Sequence, residues 1–483
     1  MTAPRPASSL PDPASSLPSA AGLSSSSGTL DRSRPPGAAP PLPFRFPPFL
    51  HRRLLPGLDL YTAHVPRAPL VSVELILPRG GQSDPPNARG LASLTADLLD
   101  EGTERRSGPD LADWVERLGG SLSSIADWDA SYLACTLLAE HLPQALALLA
   151  EIALSPSFPE AEVERLRKRR LAELMRRRSS PVSLAEERFA RALYDDGPYG
   201  YPLIGEEEDL RRLDRGAAAR HYETALHRGG ATLIATGDLD PEALAKAVTE
   251  LLAAWPAEPA AVPSPIELMA ASGISVHVVD RPQAAQTELR LGHPGPPRNH
   301  PDRVPLSVMN SLLGGKFISR INLNLRERHG FTYGAHSIFA NRLGPGPFQV
   351  SAAVATESAG AAVAETLGEL RRLQEEPPAA SELADAVQYL EGVFPYTLQT
   401  VESMAQRLSQ LAVFGLADDY FDRYFVELRE VTPEGVREVA ARHLRPDTSA
   451  VVAVGPAAVL VPQLERFGPV SIWSPSGEAS SPE

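Results

Sequence analysis

Cysteine is nearly missing from this chain: its 483 residues include only Cys135. One thiol excludes an intramolecular disulfide framework and any zinc site built from cysteines. Cys135 lies in an apolar strand pattern and reads as a small buried hydrophobe rather than a nucleophile. Lysine is almost as scarce. Lys168, Lys246 and Lys316 are the only lysines among 46 basic residues, and the rest are arginine. With abundant Ala, Pro and Gly, this bias reflects GC-rich coding, so arginine richness carries little functional information. Excess positive charge is also lacking. The net charge is -14, with 60 acidic residues, which disfavours a general nucleic-acid binder that must displace counterions from phosphates. No apolar run approaches the roughly 20 residues of a membrane span. No apolar h-region follows Arg5, so no secretory signal peptide is visible. The expected location is therefore the cytoplasm. Periplasmic or exported placement is the alternative, through a different start codon or a non-standard route.

The hydrophobic fraction of 43% and the charged fraction of 22% are ordinary for a globular protein. The first 48 residues contain 12 Pro and 10 Ser and read as a disordered leader, because such a segment buries too little apolar surface to offset its ordering entropy. Residues 471–483 read as a disordered tail. About 420 residues remain, enough for two or more domains.

Hydrophobic spacing predicts a strand over 70–77, ending at Arg79-Gly80-Gly81, then helices over 90–100 and 109–118. Strands follow over 121–125 and 130–138, then helices over 141–152 and 159–178. Strand 231–236, the Gly237-Asp238 turn and helix 241–255 close this half. Four prolines in residues 256–265 make a stiff connector. The order then repeats: strand 285–292, helix 303–313, strand 348–354, helices 360–374 and 379–392, strand 450–454. A repeat of about 200 residues is a domain duplication rather than a solenoid. The predicted organisation is a leader (1–48), an N-terminal domain (49–255), a linker (256–272), a C-terminal domain (273–470) and a tail (471–483). The predicted class is α+β, with largely antiparallel sheets flanked by helices.

From Gly90-Leu91-Ala92 onward the chain resembles the M16 zinc peptidases, the pitrilysin/insulinase and mitochondrial processing peptidase group, and most of all the short bacterial M16B type. The blocks that carry the resemblance include Leu118-Gly119-Gly120, Gly197-Pro198-Tyr199-Gly200 and Thr236-Gly237-Asp238-Leu239-Asp240. In the second half they are Leu312-Leu313-Gly314-Gly315 through Arg320, Leu325-Arg326-Glu327 with Gly330 and Tyr333, and Val431-Thr432-Pro433-Glu434. Each block alone is weak, but their order and spacing together are specific. The resemblance implies the M16/LuxS-like metallohydrolase fold.

The family binds zinc with His-x-x-Glu-His on one helix plus a distant Glu. Two imidazoles one turn apart reach the same metal, and the first Glu activates its water. Here Ser93 stands at the first His, Ala96 at the base and Asp97 at the second His. Glu173 stands at the distant ligand. The site is thus degenerate, with no catalytic residue and no metal expected in this chain. Asp97 and Glu173 would hold a hard ion such as Mg2+ only weakly. No histidines elsewhere are spaced to replace the missing pair. The eight basic residues of 165–178 read as a solvated helix face, ion-paired to Glu162, Glu164 and Glu173.

The second half keeps more of the pattern. Seen alone, Arg326 would be half of an Arg–Glu pair and Tyr333 a core tyrosine. The resemblance implies instead that they bind substrate backbone, and guanidinium and phenol donors suit a peptide carbonyl. The expected function is the non-catalytic subunit of a heterodimeric M16B metallopeptidase, inactive on its own. It would position peptide for a partner chain that carries His-x-x-Glu-His and the zinc. The alternative is a structural or assembly subunit like the core proteins of respiratory complexes, with no role in proteolysis.

Overall fold

A computed structural model describes residues 44–227, 230–256, 266, 268 and 271–480. The leader up to residue 43 and most of the proline-rich connector lie outside the described residues. The first half contains strands β1 (Leu50–Leu55), β2 (Leu58–His64), β3 (Leu70–Leu77), β4 (Ser121–Ala126), β5 (Ser131–Leu138) and β6 (Ala231–Gly237). Its helices are α1 (Leu91–Asp97), α2 (Gly108–Arg117), α3 (Leu142–Leu154), α4 (Glu160–Arg177), α5 (Pro181–Tyr194), α6 (Glu207–Arg212), α7 (Arg215–His221) and α8 (Pro241–Leu251). The second half contains β7 (Ser275–Asp280), β8 (Thr287–Pro294), β9 (Thr332–Phe339), β10 (Pro347–Val354), β11 (Ala450–Gly455), β12 (Val470–Trp473) and β13 (Ala479–Ser480). Its helices are α9 (Arg303–Asn310), α10 (Arg320–Asn322), α11 (Ala359–Glu375), α12 (Ala380–Val393), α13 (Val401–Phe414), α14 (Tyr420–Glu430), α15 (Pro433–His443) and α16 (Ala457–Leu464).

The first sheet runs β1-β2-β6-β3-β5-β4 and the second β13-β12-β7-β11-β8-β10-β9. Five strands correspond one to one: β2-β6-β3-β5-β4 matches β7-β11-β8-β10-β9. The parallel pair β2/β6 has its counterpart in β7/β11. The remaining pairs of this five-strand core are antiparallel. The duplication expected from the rhythm of the sequence is thus present strand for strand. In each copy an antiparallel edge strand, β4 or β9, ends the sheet.

Both faces of the first sheet are covered, which explains why β3 alternates only partly. Val73, Leu75 and Leu77 pack with α3 and α8. Ile76 and Ile234 pack on the opposite face against Met404, Leu408 and Leu411 of α13. Hydrogen bonds fix α13 there: Thr236 Oγ1 donates to the Val401 carbonyl at 2.6 Å, and Ser409 Oγ donates to Glu74 at 2.5 Å. The arrangement is reciprocal. α5 of the first half packs on the second sheet, with Leu184 and Ala185 against Val279 and Val454, and Phe189 against Val452. Each half therefore covers the other's sheet with one helix.

Several expectations needed correction. The folded chain starts before residue 49, because Phe44 and Phe46 pack with Phe394, Phe421 and Phe425. The tail expected to lack structure supplies β12, parallel to β7, and β13. Strands β1, β2, β7 and β9 and helices α5 to α7, α10 and α13 to α16 had no counterpart in the reading. Cys135 is buried in β5, and burial pushes its thiol up to about 11.

Candidate functional site

The residues that the resemblance sets at the zinc motif, Ser93, Ala96 and Asp97, lie on α1. Gly90 precedes it at φ +89°, and a Cβ there would lie 2.5 Å from the Gly205 Cα. Only glycine fits that crossing. The Asp84 carboxylate accepts from the Gly90 and Ala92 N–H groups at 2.6 and 2.7 Å, which satisfies two free donors at the helix start. Burial pushes Asp84 up to about 7, against the opposing pull of those N–H donors, Tyr201 and Arg170.

Ser93, Ala96 and Asp97 share one turn of α1. Ser93 is buried and donates to the Leu203 carbonyl at 2.7 Å. Ala96 is fully buried. Arg170 of α4 enters this turn with only 4% of its surface exposed. One of its terminal nitrogens donates to Ser93 Oγ at 2.8 Å and to the Gly90 and Ile204 carbonyls, each at 3.2 Å. The other donates to Asp97 at 2.8 Å. Arg169 adds a second cation 3.5 Å from Asp97. Glu173, one turn further along α4, accepts two bonds from Arg176 at 2.6 and 2.8 Å. The two carboxylates are thus engaged by different arginines.

These residues do not fit a catalytic zinc ion. Such a site needs about three N, S or O ligands converging on one point. Here a guanidinium bridges the first and last positions of the degenerate motif, and no imidazole is present in it. Reading the sequence missed Arg170, which sat unmarked among the basic residues assigned to a solvated face. Most of that run is as expected, with Arg165 paired to Glu162, Arg167 to Glu164 and Arg176 to Glu173. The signal for Arg170 was its place between Leu166 and Leu174, four residues from each, on the buried stripe of α4.

In the second half, Arg326 lies 3.4 Å from Glu327, with its guanidinium 4.6 Å from the centre of the Phe317 ring. Tyr333 stands near the start of edge strand β9 and is 90% exposed, so it is not a core tyrosine. The turn between them is pinned by Gly330 N–H to the Arg326 carbonyl and Phe331 N–H to the Leu325 carbonyl. The Gly314-Gly315 segment packs closely rather than forming a free loop. A Cβ on Gly314 would lie 2.4 Å from Ser337 Oγ.

One cluster of potential metal ligands occurs elsewhere among the described residues: His300, Asp302 and His443. His443 Nε2 lies 2.6 Å from Asp302 Oδ2, and the same oxygen accepts from Arg442 at 2.5 Å. His300 Nδ1 accepts the Asp302 backbone N–H at 3.0 Å. The carboxylate is already neutralised by Arg442, so the cluster reads as a tether between α9 and α15.

Fold and site together define a duplicated α+β chain in which a buried guanidinium ties Ser93 to Asp97 on the first turns of α1. Comparison with known proteins agrees. Residues 60–207 match the family model for insulinase, peptidase family M16, and residues 212–390 match the model for the peptidase M16 inactive domain. The chain belongs to the M16 peptidase family. An uncharacterized zinc protease of Streptomyces coelicolor is 23% identical, over 83% of this chain and 89% of that protein. One from Mycobacterium bovis is 25% identical, over 84% of this chain and 93% of its own length. A peptidase M16 inactive domain from Pseudomonas fluorescens superposes with a TM-score of 0.79 at 25% identity, covering 84% of this chain and 98% of that one. A chain of complex III2 from Candida albicans shares the fold with a TM-score of 0.70 at 16% identity, covering 86% and 97%.

Proposed function

We propose that this chain is the non-catalytic member of a two-chain M16 peptidase. It binds peptide and positions it for a partner that carries His-x-x-Glu-His and the zinc. The carrying observation is the asymmetry between the halves. In the first, Arg170 bonds to Ser93 and Asp97, the residues that stand by resemblance at the two histidines of the zinc motif. In the second, Arg326 and the 90% exposed Tyr333 remain beside an edge strand. Their contribution is orientation and hydrogen bonding to a peptide carbonyl, not proton transfer. Among the described residues no helix is long and apolar enough to cross a membrane. The test is reconstitution of this chain with an M16 chain that carries the zinc motif, followed by a peptide-cleavage assay. Arg326→Ala and Tyr333→Phe should each lower cleavage about 10-fold or more while the pair still assembles. Unchanged cleavage in both variants would defeat the reading.

A second reading is a structural or assembly subunit, favoured by the fold match to a chain of a respiratory complex. It requires a stable complex in which neither substitution changes any peptidase activity.

A further inference from the structure

A cavity of about 300 Å3 opens between α4, α5 and the segment after β12, away from the Arg326/Tyr333 surface. Three arginines line it: Arg178, Arg188 and Arg191. Two of them are neutralised. Arg178 pairs with Glu207 at 2.8 Å, and Arg191 pairs with Asp196 and Glu206. Among the described residues Arg188 has no such partner. Its neighbours on α5 are engaged elsewhere, Glu187 with Arg177 at 2.6 Å and Glu186 with Arg290 at 2.6 Å. The Arg188 guanidinium stacks 3.9 Å from the Trp473 ring centre, and its buried Nε has no acceptor among the described residues. Burial, with Arg191 nearby, pushes its pKa down to about 10 against a weaker opposing pull from Asp195, the direction expected of a charge held partly away from water. A partly buried cation facing a cavity carries a desolvation cost that an anion in the cavity would offset.

We propose that this cavity binds a small monocarboxylate with an apolar body, its oxygens taken by the Arg188 fork beside Trp473. Guanidinium offers two parallel donors to a planar oxyanion. One positive charge without an ion-pair partner among the described residues matches one negative charge. A phosphate would bring more, against the Glu187, Glu206 and Glu207 carboxylates that also line the cavity. Leu174, Leu184, Val279 and Pro202 supply an apolar wall for the rest of the molecule. The volume matches the low end of small-ligand sites, about 300 Å3. This inference does not depend on the peptidase reading, since none of these residues belongs to the Arg326/Tyr333 surface or the Arg170 cluster.

The test uses the full chain and three probes: 3-phenylpropionate, its amide, and inorganic phosphate. Binding is followed by calorimetry and by tryptophan fluorescence, to which Trp473 contributes. The carboxylate should bind, with the amide and phosphate at least about 10-fold weaker. Arg188→Gln should weaken the carboxylate by the same factor. Arg188→Lys, which keeps the charge without the fork, should fall between. Trp473→Phe should retain calorimetric binding and lose most of the fluorescence change. Equal binding of acid and amide would overturn the proposal, as would a carboxylate affinity unmoved by Arg188→Gln in a variant that melts like wild type. Phosphate binding more tightly than the carboxylate would overturn it too, as would absence of binding by every probe.

Discussion

At the scale of single residues, Arg170 decides what the first half can do. It ties α1 to α4, with four acceptors on two nitrogens. Removing one partner from a buried charged network costs far more than the pair is worth in isolation, because the other groups stay desolvated. Arg170→Met should therefore lower stability by about 3–5 kcal/mol, read as an earlier urea midpoint. The same variant should take up no zinc on metal analysis, since Ser93, Ala96 and Asp97 still offer no imidazole. Asp84 gives a pH prediction. Its folded-state pKa of about 7 lies above the ordinary value of 3.8, so the folded chain holds this proton more tightly than the unfolded chain. The resulting stability is complete below about pH 4 and is lost as pH rises through about 7. Asp100, also pushed up to about 7, and Asp129, to about 6, act in the same direction. Thermal melts of wild type and Asp84→Asn over that range should show the wild type losing ground as pH rises. A gap independent of pH would contradict the assignment.

At the scale of elements, the exchange of α5 and α13 holds the two halves together. Leu408 of α13 is fully buried on the first sheet, and Phe189 of α5 is 2% exposed on the second. Leu408→Ala should cost about 2–5 kcal/mol and Phe189→Ala about 3–5 kcal/mol through the cavities they leave. Because each helix belongs to one half and covers the other, either change should shift a single urea transition rather than split it. Two separated transitions in either variant would show that the halves fold independently. Neither helix was legible beforehand. α5 opens on Pro181 and presents Leu184, Ala185 and Phe189 to a sheet about 100 residues or more away in sequence, and no local spacing names that partner. α1, α3, α4 and α8 were legible, since each packs its apolar stripe on its own half. The same limit explains β12. Its four residues become a strand only because β7 offers a free parallel edge.

At the scale of the whole molecule, five strands recur in the same order and sense in both halves, yet the halves differ in chemistry. One carries a closed, arginine-filled turn, and the other an exposed tyrosine on an edge strand. On the proposed reading, metal-dependent hydrolysis takes place only when a second chain supplies the zinc. Purified alone, this chain should show no peptide cleavage above background with or without added zinc. Stoichiometric zinc together with cleavage in the isolated chain would refute that expectation.

The sequence by itself determined the duplication, the α+β class, the family and the loss of the zinc motif. These follow from local spacing and from residue types that chemistry cannot substitute: alanine supplies no base and serine no imidazole. The tertiary structure alone decided which side chain engages Ser93 and Asp97 and how the halves are joined. Arg170 is one of eight basic residues in a run, and only the burial of α4 separates it from its solvated neighbours. Glu173, read as the surviving ligand position, turns to Arg176, its neighbour three residues on. A side chain's role depends on which desolvated partners lie within about 3 Å of it, and partners from distant segments meet only when the chain is folded.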